Sequence, residues 1–153
     1  MGVDKEESVT QWIHDNEIPA ALISYSYRTI QKSFARELAP YHIGWGHFAI
    51  LMAVHEMDGP SQESIALSRG FDKTMVAKSV AKLEKEDFVY RENDEADKRV
   101  KRLYLTEKSK NLRPEMERIG RGINKKLIKD FDENESKIIL KYLRKIALNT
   151  SEM

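Results

Sequence analysis

Two short helical runs joined by a turn of three or four residues, with a change of period straight after them, leave this chain few folds to choose from. Ser61 stands where an N-cap is wanted ahead of Ile65, Ala66 and Leu67. Gly70 follows that run, where a left-handed residue ends a helix. Asp72 offers its carboxylate to the backbone N–H of Thr74 or Met75 and opens a second run to about Glu86, with Val76, Val80 and Leu83 facing inward. Helices joined as closely as Arg69-Gly70-Phe71 permits form a helix-turn-helix. Beyond them the period drops to two. Phe88 to Arg91 and Val100 to Leu105 read as strands, and the polar run Asn93 to Arg99 reads as the tip of a hairpin, a wing.

The flanks are helical. Ile18, Leu22, Tyr25, Ile30, Phe34 and Leu38 recur at helical spacing until Pro40 closes the run. After Gly44 and Gly46, a helix shows Phe48, Leu51, Met52 and His55 on one face, and Asp58-Gly59-Pro60 stops it. Thr106 caps a long helix carrying Leu112, Met116, Ile119, Ile123 and Leu127, which Pro114 is expected to kink by removing a donor. Asp132 and Glu135 open a last helix with Ile138, Ile139, Tyr142, Leu143 and Ile146. About the first ten residues are expected to fray. The fold class is thus mainly α with a small β-wing. A single domain spans 1–153, with a winged helix-turn-helix at about 44–106 and outer helices at about 17–40 and 107–149.

Those outer helices carry apolar residues on more than one stripe: Ile18, Leu22, Ile23 and Ile30 at one end, and Ile138, Ile139, Leu140, Leu143 and Ile146 at the other. A chain of 153 residues struggles to cover so much from its own length, which points to a dimer, with a thicker monomeric core as the alternative. The longest apolar run, Phe48 to Val54, cannot span a bilayer, and the acidic, polar start is no secretory signal, so a cytoplasmic protein without a membrane partner is expected. With no cysteine there are no disulfides and no thiolate metal sites. His14, His42, His47 and His55 lack metal-ligand spacing. No nucleophile elbow or Gly-rich phosphate loop is present, so neither an enzyme, a cofactor nor a metal is expected.

The chemistry lies in the second helix of the pair. With Val76 at zero and about 100° per residue, Val80 and Leu83 share its side, while Thr74, Lys78, Ala81 and Lys85 point the opposite way. A small, basic face suits a major groove, where carboxylates would meet phosphates, although solvated helix faces also carry lysines. Lys98 and Arg99 at the hairpin tip suit a minor groove, and Asp97 either orients the Arg99 guanidinium or solvates the turn. From Asp72 to Arg102 nine Lys/Arg face eight Asp/Glu, and the whole chain carries a net charge of +1, so only the placement of charge favours DNA.

The run Gly70-Phe71-Asp72-Lys73-Thr74, then Leu83-Glu84, Val89, Arg91 and above all Asp97-Lys98-Arg99 followed by Leu105-Thr106, resembles the MarR family of winged helix-turn-helix transcriptional regulators from about residue 17 to 149. Asp87 and Ser109 depart from it, standing where such proteins usually carry Gly. The resemblance implies a homodimer with interleaved outer helices, its recognition helices in successive major grooves of a pseudo-palindromic DNA duplex. Thr74, Met75, Ala77, Lys78 and Lys82 would then approach bases or phosphates. Ser61 and Gln62 would meet a phosphate at a helix start, and Arg99 would enter the minor groove with Asp97 holding it. It also implies a repressor relieved by a small, anionic aromatic effector, for which Tyr25, Arg28, Trp45 and His47 could line a pocket; plain core is the other reading of Tyr25 and Trp45. The alternative function is a winged-helix protein-interaction module that binds no DNA, favoured by the near-neutral charge and disfavoured by the wing.

Overall fold

The computed structural model describes residues 5–153. It has two compact units, the first ending at Met116 and the second spanning Glu117–Met153. Among the described residues no helix is long and apolar enough to cross a membrane.

The first unit opens with helix α1 (Lys5–Asp15), so residues 5–10 do not fray as the sequence led us to expect; residues 1–4 lie outside the described part. Glu6 and Glu7 sit in its first turn and His14 in its last, each favourable to the helix dipole. The Trp12 ring packs 5.7 Å from that of Tyr25 on α2 (Pro19–Leu38). Pro19 starts α2 and Pro40 ends it through a single 3-10 turn, after which His42 takes a left-handed conformation. Near its end α2 buries Phe34 and Leu38, the Phe34 ring lying 4.5 Å from Trp45 and 5.0 Å from Phe48.

Those two rings belong to α3 (Trp45–Glu56), the centre of the core. It buries Phe48, Ile50, Leu51, Ala53 and Val54, so it is enclosed on more than the single face expected. The Asp58-Gly59-Pro60 turn requires its glycine: φ is +53°, and a Cβ there would lie 2.8 Å from the Tyr104 hydroxyl.

Helix α4 (Gln62–Arg69) begins as expected, the Ser61 hydroxyl accepting from the Ser64 N–H at 3.0 Å, and ends on left-handed Gly70. Asp72 caps α5 (Lys73–Lys85) by accepting from the Met75 N–H at 2.9 Å. At the far end Phe88 N–H donates to Leu83 C=O and Asp87 N–H to Glu84 C=O. This reversed closure needs a left-handed residue, and Asp87 supplies it at φ 58°. The departure from glycine therefore preserves the geometry, and Phe88 is fully buried in the helix closure rather than starting the strand.

Strands β1 (Val89–Asn93) and β2 (Lys101–Leu105) pair antiparallel, Val89 opposite Leu105 and Asn93 opposite Lys101. A further segment joins them: Leu103 N–H donates to Pro60 C=O at 2.9 Å, and Ser61 pairs with Arg102 in one antiparallel bridge. Thr106 ties the hairpin to α6 (Glu107–Leu127), its hydroxyl donating to Asp87 C=O at 2.7 Å and accepting from Ser109 N–H at 3.1 Å. Helix α6 runs unbroken through Pro114 and passes from the first unit into the second. In the second unit Asp132 and Glu135 form the expected reciprocal cap of α7 (Glu133–Ser151). No residue of α7 is buried.

Candidate nucleic-acid interface

The outward face of α5 is the one the helical wheel describes. Val76, Val80 and Leu83 are fully buried, whereas Thr74, Ala77, Lys78, Ala81 and Lys85 are exposed. The helix packs on α3, α4 and β1, which fixes its orientation within the lobe. Met75 and Lys82, also expected among the contacts, lie on a flank and are half-buried. Met75 takes a hydrogen bond from the Ser79 hydroxyl through its sulfur.

Lys82 bonds Glu86 at 2.5 Å, and the ammonium holds that carboxyl below its usual range, with lesser help from His42 and Lys85. Lys82 also lies near enough to His47 to lower its pKa, although burial is the larger cause. Its charge is thus partly spent within the lobe, unlike that of Lys78. Lys73 is similarly engaged with Glu63 across the α4–α5 turn at 2.7 Å, the hydrogen bond raising the lysine's pKa and lowering the glutamate's.

Ser61 and Gln62 stand at the start of α4, both half-buried, with the Ser61 side chain committed to its cap. At the wing tip Asp97, Lys98 and Arg99 are all exposed. Asp97 accepts a hydrogen bond from the Arg99 backbone N–H at 3.0 Å, so it shapes the turn from which the guanidinium projects rather than gripping the guanidinium.

Sequence reasoning missed the fixtures behind the tip. Asp94 accepts from the N–H groups of Ala96 and Asp97 through one oxygen and from Arg102 Nε through the other. Those bonds, the Asp97 N–H first, pull its pKa down. Arg102 Nη1 donates to Gly59 C=O at 2.9 Å. Glu84 on α5 pairs with Arg91 on β1 at 3.0 Å, tying that helix to the hairpin. An Asp three residues before the tip is a readable turn signal, but its pairing with Arg102 depends on hairpin register.

The four residues suggested for a ligand pocket fall in two places. Tyr25 and Arg28 line a hollow of about 300 Å³ with Ser8, Val9 and Trp12, and Arg28 is bonded to the Ser24 hydroxyl at 2.6 Å. Trp45 joins the Phe34–Phe48 cluster instead, and His47 turns back to accept from Gly44 N–H at 3.0 Å. Among the described residues no group of three or more His, Asp or Glu side chains is placed to hold a metal ion.

Comparison with known proteins agrees with this architecture. The model of the MarR family matches residues 43–101, the region from α3 to the wing. An uncharacterized HTH-type transcriptional regulator of Bacillus subtilis (strain 168), YybA, is 30% identical over 104 residues, which is 68% of this chain and 69% of that protein. The structure of a MarR transcriptional regulator from Methanosarcina mazei Go1 superposes with a TM-score of 0.81 at 35% identity, covering 90% of this chain and 99% of that one. A putative MarR family regulator from Listeria monocytogenes, solved in complex with a 26mer DNA, shares the fold with a TM-score of 0.82 at 23% identity, over 90% and 91% of the two chains. With its helix-turn-helix, wing and outer helices in this order, and relatives that match along most of their length, the chain belongs to the MarR family of transcriptional regulators.

Proposed function

We propose that this protein is a homodimeric repressor that binds a pseudo-palindromic DNA duplex. Helix α5 enters the major groove, Arg99 enters the minor groove, and residues 44–106 form the DNA-binding part. The observation that carries this reading is the sorting of α5. One side is fully buried, and the other offers only small or basic side chains, Thr74, Ala77, Lys78, Ala81 and Lys85. Alanine permits close approach, while threonine and lysine donate to base edges and phosphates. The DNA complex of the Listeria relative supports such docking for a lobe of this shape.

Dimerisation through the outer helices, about 17–40 and 107–149, is supported by what each leaves uncovered. On α7, Ile138, Leu140, Tyr142, Leu143, Ile146 and Leu148 are 37% to 66% exposed; on α2, Ile23 and Tyr27 are exposed too. Two such helices from each of two copies would bury these stripes, and two-fold symmetry would set two α5 helices about one DNA turn apart, ~34 Å. A small anionic aromatic effector would find rings and a cation in the Trp12–Tyr25–Arg28 hollow. Quenching of tryptophan fluorescence by salicylate-like acids in a Trp45→Phe background, where Trp12 alone emits, and its loss on adding Arg28→Ala, tests that part.

The test of the whole is a mobility-shift titration against the region upstream of the protein's own coding sequence at two salt concentrations. Lys78→Ala should lower the salt slope by about one. Arg99→Ala should weaken binding broadly and change preference at A·T-rich flanks. Unchanged binding in both variants overturns the contact assignments; a wild-type protein that shifts no duplex leaves the interaction module in its place.

A further inference from the structure

We propose that Asp94 and Arg102 are positioning residues for DNA binding: together they lock the wing tip to the start of α4, so that Arg99 is presented from a preset place. The inference rests on the DNA-binding reading above and deepens it. Neither residue needs to touch DNA.

The lock is a continuous chain of bonds. At one end, Asp94 Oδ1 accepts from Ala96 N–H at 2.9 Å and Asp97 N–H at 2.8 Å, which closes the tip. The Asp94 N–H donates to Val100 C=O at 3.0 Å, so the tip is pinned from both sides. Asp94 Oδ2 accepts from Arg102 Nε, and Arg102 passes the constraint on through Nη1 to Gly59 C=O. Gly59 has a left-handed backbone, φ +53°, and lies so close to the Tyr104 ring that a Cβ there would meet it at 2.8–3.0 Å. Two residues further on, Ser61 pairs with Arg102 and caps α4.

Burial and charge point the same way. The Asp94 side chain is 13% exposed, although it lies in a polar hairpin whose other acids, Glu92, Glu95 and Asp97, are exposed. A carboxylate near a phosphate backbone repels it; turned inward onto three donors, this one does not. Arg102 is 41% exposed, but its charge is matched by Asp94, so a phosphate gains little from it. An arginine that must reach into a groove loses less freedom on binding if its loop is already ordered.

Arg102→Gln and Asp94→Ala, each alone and combined with Arg99→Ala, test this against a duplex from the upstream region or one selected from a random pool. With Arg99 present, each should weaken binding roughly tenfold, the size of a close-pair coupling. In the Arg99→Ala background each should add almost nothing, and Arg102→Gln should leave the salt slope unchanged. Amide hydrogen exchange at Ala96 and Asp97 in the DNA-free protein should accelerate in both variants. Should Asp94→Ala lower the melting point of the whole lobe, Asp94→Asn keeps an acceptor for the two tip amides while loosening Arg102, and the same coupling should appear, smaller. Losses additive with Arg99→Ala, a slope reduced by about one in Arg102→Gln, or unaltered amide exchange overturn the proposal while the DNA-binding reading stands. A wild-type chain that binds no duplex ends both.

Discussion

Helices α5 and α7 look alike on paper: each begins at a capping Asp, each carries aliphatic side chains at helical spacing, and each has lysines on its outer side. Their fates in the fold are opposite. Helix α5 buries Val76, Ser79, Val80 and Leu83 against α3, α4 and the wing; α7 buries nothing. An amphipathic pattern states only that a helix needs a partner surface, not that its own chain supplies one. For α5 the partner lies within the lobe, which leaves the opposite face free for a ligand. For α7 the apolar stripes are themselves the unmet need.

The same substitution in the two helices sharpens that contrast. Leu83→Ala opens a cavity at a fully buried site and should destabilise the lobe by roughly 2–5 kcal/mol, the range for buried leucine truncations. Denaturant titration would read this, and the loss should not depend on protein concentration. A change below about 1 kcal/mol would mean that the α3–α5 core is looser than its burial indicates.

Leu143→Ala should act through association. Its side chain is 48% exposed in the single chain, so truncation removes little from the fold of one copy. If the proposed dimer covers its exposed half, about 1 kcal/mol of burial is lost for each of the two side chains, about 2 kcal/mol per dimer, weakening association about thirtyfold. Sedimentation at a series of concentrations would show the shift, and the variant should melt below the wild type at concentrations where only the wild type remains associated. A variant that associates like the wild type would remove α7 from the interface.

How much of this was legible in the sequence follows from the range of the interactions involved. The caps at Ser61, Asp72 and Asp132, and the left-handed Gly70, act within three or four residues and were read correctly. The exposed face of α5 followed from periodicity alone. Helix α1 did not, because its Trp12 packs on Tyr25, a contact that local pattern cannot supply. Asp87 looked like a departure, yet its side chain tolerates the left-handed backbone that the position demands. Ser109 is different: its hydroxyl is buried and has no hydrogen-bond partner among the described residues, and nothing in the structure explains its presence. The Asp94–Arg102 lock was invisible, since charges equally able to meet solvent or DNA were assigned by hairpin pairing. The Lys82–Glu86 pair stands at i,i+4 and lay within reach of the helical pattern, but the family resemblance assigns its lysine to DNA.

The smallest expected effect also separates the two regions, because all four histidines precede residue 56 and α7 has none. His47 Nδ1 accepts the Gly44 N–H at the start of α3, which requires that nitrogen to be unprotonated. A proton there would break the cap and add positive charge where the helix dipole is already positive, and Lys82 adds to the same repulsion. Burial first and Lys82 second accordingly hold His47 below its ordinary value of 6.5. As pH falls through 6.5 the unfolded chain takes up a proton that the folded lobe refuses, so this contribution to stability is present above 6.5 and is lost as pH drops toward the lower folded value. His47→Gln keeps an acceptor for Gly44 but does not titrate. Between about pH 7 and about pH 5.5, the window in which histidine changes charge, wild-type lobe melting should therefore fall more than that of His47→Gln, by less than the loss in Leu83→Ala because the ring is only half-buried. The difference should appear in melting of the lobe and leave the concentration dependence of association alone; equal pH responses in the two proteins would remove His47 as its source.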